Sequence, residues 1–219
     1  MKSLVFLSQK GGSGKTTLSV HTAVTAQESG EQVVIIDTDP QQSATTWADA
    51  RESDSPPVAT ISVGEIDKVM NAARQEGISL AVVDTAPHAT PDASKVAQIA
   101  DLVVIPVRPS AFDIAAAGNA VQITRAAGAK AVFVLSACPF RSPEIAETRE
   151  LLASYGLPIA PMEITERRAF ARAVASGRAV TEFETFSTKA GSLPHHVLMR
   201  VTASYDCIKS CTKILLAII

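Results

Sequence analysis

Short runs of apolar residues recur along the chain and are continuous rather than alternating with polar residues. The clearest of them span residues 4–7, 33–36, 80–83, 102–107 and 131–135. Continuous apolar runs of this length are typical of strands that are covered on both faces, as in a parallel sheet. Segments with helical spacing of apolar residues lie between the runs, for example 16–28 and 114–127. The pattern therefore predicts strands that alternate with helices.

Glycines close several of the helical segments just before the next apolar run, at Gly30, Gly77, Gly128 and Gly156. Because glycine tolerates the left-handed conformation at a helix C′ position, each one predicts a return from helix to strand. Repeated βα units predict an α/β fold of three layers, with a mostly parallel central sheet and helices on both faces. Since neither a linker nor a repeat interrupts the sequence, we expect a single domain over residues 1–219.

Composition excludes several classes of protein. The chain is 47% hydrophobic and 19% charged, which indicates a folded core rather than a disordered chain. Its net charge is −2, so binding to nucleic acid or anionic lipid would need a local patch. No run reaches the roughly 18 apolar residues of a membrane span. Three cysteines predict no disulfide framework, and we expect a cytoplasmic protein.

The first apolar run leads into a glycine-rich loop that a helical segment follows, with the sequence Ser8-Gln9-Lys10-Gly11-Gly12-Ser13-Gly14-Lys15-Thr16-Thr17. Glycines let backbone N–H groups turn towards a phosphate, and the helix N-terminus adds the positive end of its dipole. Lys15 is predicted to reach the β- and γ-phosphates, and the Thr16 hydroxyl to bind Mg²⁺. The strict pattern has a glycine five residues before Gly14, where this chain has Gln9.

Two later apolar runs end in aspartates. Asp37 and Asp39 follow the run at 33–36 at alternate positions, so both side chains are predicted to point to one side. Asp84 follows the run at 80–83, and its carboxylate is predicted to hold Mg²⁺, usually through water. Ligands of open α/β sheets bind at the carboxyl ends of the strands. The alternative is that Asp37 or Asp39 caps the next helix.

These segments together resemble the ParA/MinD family of P-loop ATPases. Residues 10–17 (KGGSGKTT) resemble its deviant Walker A motif, 37–41 (DTDPQ) its D-x-D-P-Q switch I, and 84–87 (DTAP) its D-x-x-P Walker B segment. The resemblance implies ATP and Mg²⁺ as cofactors, slow and partner-stimulated ATP hydrolysis, and a homodimer that encloses the nucleotide. It is closest to the short ParA-type partition ATPases that lack an N-terminal helix-turn-helix.

The resemblance also implies roles for single residues. Lys10 would reach the ATP of the partner subunit and neutralise transition-state charge much as an arginine finger does, an effect worth roughly 10³–10⁵ in rate. Asp39 would orient the attacking water. Asp37 and Asp84, with Thr16, would form the Mg²⁺ site. Residues 10–17 would bind the phosphates, His88 would lie in switch II, and a loop containing Pro161 and Met162 would lie near the adenine.

Four arginines fall within twelve residues late in the chain: Arg167, Arg168, Arg172 and Arg178. Helical spacing puts Arg168 and Arg172 on one face. The segment resembles the I-x-x-R…G-x-x-V stretch of small plasmid-partition ATPases. That resemblance implies binding of the ATP-bound dimer to DNA without sequence preference, through phosphate contacts. The alternative is a solvated helix face.

The resemblance covers about residues 1–191, and the segment at about 192–219 is unusually apolar. Six of its residues have helical spacing and form one apolar face: Cys207, Ile208, Cys211, Ile214, Leu215 and Ile218. We expect this face to pack onto the core. A membrane-touching helix of the MinD type is the alternative, although only Lys209 and Lys213 supply positive charge.

The sequence therefore predicts an ATP-dependent dimerising ATPase that partitions or positions a plasmid, a chromosome or a protein cluster. Its expected partners are non-specific DNA and a ParB-type or other stimulating protein, and its expected location is the nucleoid. The alternative is a MinD-like ATPase that cycles on and off the membrane. An electron-transfer ATPase like the nitrogenase iron protein is disfavoured, because it needs cysteines for a cluster and none lies between Asp84 and Arg108.

Overall fold

The computed structural model describes residues 1–87, 91–182 and 195–219, without the side chains of Pro91, of residues 195–205 and of Cys207. His88 and the segment 183–191 that was compared with the family lie outside the described residues. The strands are β1 (Lys2–Phe6), β2 (Val33–Asp37), β3 (Val58–Thr60), β4 (Leu80–Asp84), β5 (Leu102–Val107), β6 (Ala131–Cys138) and β7 (Ile159–Thr165).

The described helices are α1 (Lys15–Glu28), α2 (Ser43–Asp49), α3 (Ile66–Gln75), α4 (Pro91–Gln98), α5 (Ala111–Ala127), α6 (Glu144–Ala153), α7 (Arg168–Ala175) and α8 (His195–Ile218). The strands form one seven-stranded sheet in the order β3-β2-β4-β1-β5-β6-β7, and every pair is parallel. The predicted α/β class and central sheet are confirmed.

Alternate residues of each central strand enter opposite cores, which explains why their apolar runs are continuous. Leu4 and Phe6 belong to the core beneath α1, α2, α7 and α8. Val5 and Leu7 belong to the core beneath α3, α4, α5 and α6. The sheet is thus the middle layer of three. The four helix-closing glycines have positive φ angles between 66° and 100°, as predicted from the sequence.

The structure corrects one element. Pro161 and Met162 lie inside β7, so the prediction that they form a loop is wrong. β7 is an edge strand that pairs only with β6, and a proline is tolerated there because one side of the strand needs no ladder hydrogen bonds. Only some residues of β7 are buried, so its sequence carries no continuous apolar run.

Helix α8 packs against α1 and β7, as its apolar spacing predicted. Ile208, Cys211 and Leu215 are at most 1% exposed and belong to the same core as α1, whereas Ile218 is 38% exposed. Among the described helices, none combines the length and the apolar character needed to cross a membrane.

Candidate functional site

The loop between β1 and α1 is shaped by two glycines in the left-handed region. Gly12 has a φ of 74°, and Gly14, the N-cap of α1, has a φ of 98°. A Cβ at Gly12 would meet nothing within 4 Å, so glycine is needed there for its backbone angle rather than for space. The loop therefore has the conformational freedom to turn its amides inwards ahead of a helix N-terminus, which is how backbone binds phosphate.

Lys15 is the first residue of α1 and is only 6% exposed. Burial lowers the pKa of Lys15, while the nearby carboxylates of Asp84 and Asp39 raise it. A cation held in this position, between carboxylates and the end of a helix, is placed to meet a polyanion rather than to form a surface ion pair.

Asp84 ends β4 and is fully buried. Neither of its carboxylate oxygens has a hydrogen-bond partner of good geometry, although the Thr16 hydroxyl is close enough to lower its pKa. Burial is the larger effect and, with a smaller contribution from Asp37, raises the pKa of Asp84 to about 7. A buried carboxylate without partners is costly unless a cation meets it. Asp84 and the Thr16 hydroxyl supply the oxygen ligands that Mg²⁺ prefers, so the site fits this ion.

Asp37 pairs in register with Asp84, which brings the two predicted acidic residues onto neighbouring strands. One Asp37 oxygen accepts a hydrogen bond from the Asp39 amide at 3.0 Å. The other accepts from the amide and the hydroxyl of Thr45, both at 3.0 Å, in the first turn of α2. Asp37 therefore caps α2, which was the alternative interpretation, and its part in a Mg²⁺ site stays a prediction.

Asp39 lies in the loop between β2 and α2 and is 8% exposed. One of its oxygens accepts a hydrogen bond from the Gln41 amide at 2.9 Å. Asp39 also lines an open cavity of about 670 Å³, which extends to Thr85, Pro87 and Asp92. A water molecule beside Asp39 would have room in this cavity.

Lys10 forms an ion pair with Asp113, at the N-terminus of α5, in its own subunit. Asp113 is 5% exposed and also accepts a hydrogen bond from Ser110. The Lys10 ammonium lies 5.8 Å from the centre of the Phe112 ring. Sequence reasoning missed this pairing, because only the sheet order shows that the loop after β5 lies beside the loop after β1.

Pro161 and Met162 lie within β7, four and three residues before its end at Thr165, and their contact with the adenine stays a prediction. The Glu166 amide, just after β7, donates a hydrogen bond to the Cys138 carbonyl at 2.8 Å.

The four arginines of the predicted patch are in three places. Arg168 and Arg172 are exposed on α7, opposite the buried Phe170. Arg178 is partly buried and lies 3.4 Å from Glu52. Arg167 comes before α7, and its guanidinium lies 5.7 Å from the centre of the Phe140 ring.

Sequence reasoning missed a clamp between the end of α2 and the segment after α7. A Cβ at Gly177 would lie 2.4 Å from the Arg51 amide nitrogen, so the two backbones are in direct contact. Arg51 donates to the Gly177 carbonyl at 2.8 Å and to both oxygens of Glu182 at 2.8 and 2.6 Å. Trp47 donates to the Arg178 carbonyl at 3.1 Å. The clamp thus fixes Arg178 relative to α2.

Comparisons with known proteins agree with this geometry. The model of the CobQ/CobB/MinD/ParA nucleotide binding domain matches residues 4–180. The chain is 29% identical over 180 residues to protein ParA of Rhizobium radiobacter, covering 78% of this chain and 81% of that protein. It is 30% identical over 187 residues to the maintenance of carboxysome distribution protein A of Gloeobacter kilaueensis, covering 81% and 82%.

The fold is also similar to that of a solved structure, the septum site-determining protein MinD complexed with Mg-ADP from Pyrococcus horikoshii OT3. The TM-score is 0.73 at 11% sequence identity, and the match covers 98% of this chain and 95% of that one.

Proposed function

Because this chain belongs to the CobQ/CobB/MinD/ParA nucleotide-binding family and is a ParA/MinD-type ATPase, we propose that it dimerises with ATP and positions or partitions a cargo along DNA. Its cofactors are ATP and Mg²⁺. The observation that carries the nucleotide part is the buried Asp84 carboxylate, which lies beside Lys15 and the Thr16 hydroxyl and has no hydrogen-bond partner of good geometry. The similar MinD structure, which holds Mg-ADP, supports the choice of cofactors.

In the proposed reaction the loop amides and Lys15 hold the triphosphate in place. Mg²⁺, when bound at Asp84 and Thr16, offsets the charge of the phosphate oxygens. Asp39 accepts a hydrogen bond from the attacking water and orients it, since phosphoryl transfer depends on positioning and charge more than on proton removal. Hydrolysis is slow until a partner protein stimulates it.

The proposed role of Lys10 requires it to change partners. In the single subunit its ammonium is paired with Asp113. To act on the ATP of a second subunit, Lys10 has to leave Asp113 and contact a phosphate there. The exposed fraction of its side chain, 37%, leaves it accessible from the carboxyl edge of the sheet.

DNA binding is proposed for the arginines of α7. Arg168 and Arg172 are exposed on one face of α7. Arg178 follows α7 in the sequence, and the clamp holds it in place relative to α2. Such contacts bind phosphates and release counterions, so affinity should fall steeply with salt. Arg167 is the weaker DNA candidate, since it lies at the edge of the sheet beside Phe140. Association with the nucleoid and a ParB-type stimulating partner complete the proposal for the single domain 1–219.

A DNA mobility shift tests this proposal directly. The protein is titrated onto a random-sequence duplex with ADP, ATP or a slowly hydrolysed analogue, at two salt concentrations. Retention should need ATP or the analogue and should fall at the higher salt. The variant Arg168→Glu/Arg172→Glu should lose retention, whereas Lys68→Glu/Arg74→Glu, an equal charge change at exposed positions of α3, should keep it. Equal retention by both variants would reject α7 as the DNA surface.

The membrane-cycling alternative receives no support from the described residues. The apolar residues of α8 that it would require, among them Ile208 and Leu215, are packed against the core. Sedimentation with liposomes and ATP would reveal such binding if it occurs.

A further inference from the structure

The glycines of the phosphate loop have little packing of their own to hold the loop in shape. Gly11 and Gly12 are exposed, and a Cβ at either would meet no described atom within 4 Å. Glycine also loses more conformational freedom than any other residue when it becomes ordered. Such a loop binds its ligand more tightly if a contact from elsewhere in the fold orders it in advance.

Ser136 supplies a contact of this kind. It is the first polar residue after the apolar run of β6, and its hydroxyl donates a hydrogen bond to the Ser13 carbonyl at 2.7 Å. Both residues are buried, so water does not compete for the bond. β5 lies between β1 and β6 in the sheet, so the loop extends past β5 to reach Ser136.

This hydrogen bond fixes the direction of the next amide. The Ser13 carbonyl and the Gly14 N–H belong to one planar trans peptide and therefore point in opposite directions. With the carbonyl turned towards Ser136, the Gly14 N–H faces away from it. Within the part of the chain that the structure describes, this N–H donates to no other group. An unused donor thus lies directly before Lys15, at the start of α1.

Ser136 also lies against the backbone that it bonds. A Cβ at Gly14 would be 3.6 Å from both the Cβ and the Oγ of Ser136, which is an ordinary contact distance. The Ser13–Gly14 peptide is therefore packed on Ser136 on one side and has its unused N–H on the other. Without the hydroxyl, the buried Ser13 carbonyl would lose its partner, which is costly for a carbonyl shielded from water.

We propose that Ser136 is a positioning residue of the phosphate site. Its hydroxyl holds the Ser13–Gly14 peptide so that the Gly14 N–H points at the phosphates before the nucleotide arrives. This inference rests on the proposed nucleotide-binding function and adds a residue from outside the loop. If the hydroxyl is removed, the peptide is free to turn its carbonyl towards the phosphates, where an oxygen repels them instead of donating a hydrogen bond.

Calorimetry with Mg²⁺ and ADP tests the proposal. ADP fills the phosphate loop but lacks the γ-phosphate that the proposed dimer needs, so it reports on a single subunit. Ser136→Ala should weaken ADP binding about tenfold, the lower end of the range for one hydrogen bond to a charged group. Ser136→Thr keeps the hydroxyl and should restore the affinity of the wild-type protein.

Ser3→Ala is the matched control for a buried serine in a central strand. Ser3 lies near the start of β1, at the opposite edge of the sheet, and its hydroxyl donates to the Ile99 carbonyl at 2.8 Å. Its loss should affect stability in the same way as Ser136→Ala, but it should leave the affinity for ADP unchanged.

A nuclear magnetic resonance measurement separates the direction of the amide from general stability. With isotopically labelled glycine, the Gly14 amide proton should shift downfield on saturation with ADP in the wild-type protein and in Ser136→Thr, because it gains a charged acceptor. The shift should be smaller in Ser136→Ala. If Ser136→Ala does not fold, Ser136→Cys replaces it with the same expected results, since a thiol is a weak donor of similar size.

The outcomes separate this inference from the proposed function. Equal affinity for ADP in the wild-type protein and Ser136→Ala, or an equal shift of the Gly14 amide, would overturn the inference and leave the proposed function standing. Equal weakening by Ser3→Ala and Ser136→Ala would overturn it as well, because the effect would then be one of stability. Failure of the wild-type protein to bind ADP would overturn the proposed function, and the inference with it.

Discussion

Asp37 and Asp39 are two residues apart, yet the structure gives them different environments. Both oxygens of Asp37 accept hydrogen bonds from the protein, which ties β2 to the first turn of α2. Asp39 borders the open cavity. The sequence predicted that both carboxylates reach the ligand edge, but it could not show which one the helix would use as a cap, because that depends on the path of the β2–α2 loop.

Replacing Asp39 tests its proposed catalytic role. Asp39→Ala should still bind ATP, because Lys15 and the loop amides remain, but should hydrolyse it about 100-fold more slowly because the water loses its acceptor. Phosphate release measures the rate, and size-exclusion chromatography with ATP should show a trapped dimer. Asp92→Ala, which removes an exposed carboxylate from the same cavity, is the control. Brisk turnover by Asp39→Ala would refute the role.

His21 is a buried residue that the sequence did not single out. It is fully buried in α1, where its Nδ1 contacts the Thr17 carbonyl at 2.7 Å and its Nε2 has no partner. Burial lowers the pKa of His21 to about 4, although the Thr17 contact and the charge of Glu182 raise it. The pKa in the unfolded chain is about 6.5. The ring is therefore neutral in the folded protein at neutral pH.

This difference predicts a loss of stability in mild acid. Since the folded pKa is the lower one, the stabilising contribution is present above pH 6.5 and is lost as the pH falls towards 4. Between pH 7 and pH 5 the free energy of unfolding of the wild-type protein should fall by about 2 kcal/mol more than that of His21→Asn. Urea denaturation at the two pH values measures this. Equal falls in both proteins would show that His21 does not titrate as proposed.

At the scale of elements, the clamp explains the glycine that follows α7. Gly177 has a φ of 64°, and its Cα faces the backbone at the end of α2. In the sequence, Gly177 is distinguished only as the glycine of the I-x-x-R…G-x-x-V stretch. The physical reason for a glycine at this position is its contact with the end of α2, which the sequence does not show because the two segments are far apart in the chain.

Alanine at Gly177 should therefore be unusually destabilising. The new Cβ would lie 2.4 Å from backbone atoms of Ala50 and Arg51, none of which belongs to a flexible side chain. We expect a loss of about 3 kcal/mol or more in the free energy of unfolding. Gly128→Ala is a matched control, with a φ of 66° but nothing within 4 Å of the Cβ, and should cost about 1 kcal/mol. Chemical denaturation measures the loss in the free energy of unfolding of each variant. Equal losses in the two variants would contradict the clamp.

The elements that the sequence predicted are those covered on both faces. β1, β2, β4, β5 and β6 appeared as continuous apolar runs because the residues of each enter both cores. β3 and β7 are the two edge strands, and their residues are partly exposed, so they carried no such run. The glycines that close helices were predictable, because a left-handed φ is a local property of the backbone at that residue. The contacts of Lys10 with Asp113 and of Arg51 with Glu182 were not, because they join distant segments.

In the whole molecule, α2 connects the nucleotide site with the segment that carries Arg178. Its first turn is bound to Asp37, and the clamp binds its end to Gly177 and Glu182. The proposed phosphate site lies at the edge of the sheet, and the proposed DNA surface lies on α7, which packs on that sheet. The proposed function depends on whether the loop before α1 binds a nucleotide at all.

Calorimetry with Mg²⁺ and ATP tests that central claim most directly. The wild-type protein should bind one ATP per chain, and omission of Mg²⁺ should weaken the binding because the Asp84 carboxylate would be left uncompensated beside the phosphates. Lys15→Ala should show no binding, since it removes the buried ammonium from the phosphate loop. Heat of binding from Lys15→Ala equal to that of the wild-type protein, or none from the wild-type protein itself, would contradict the account.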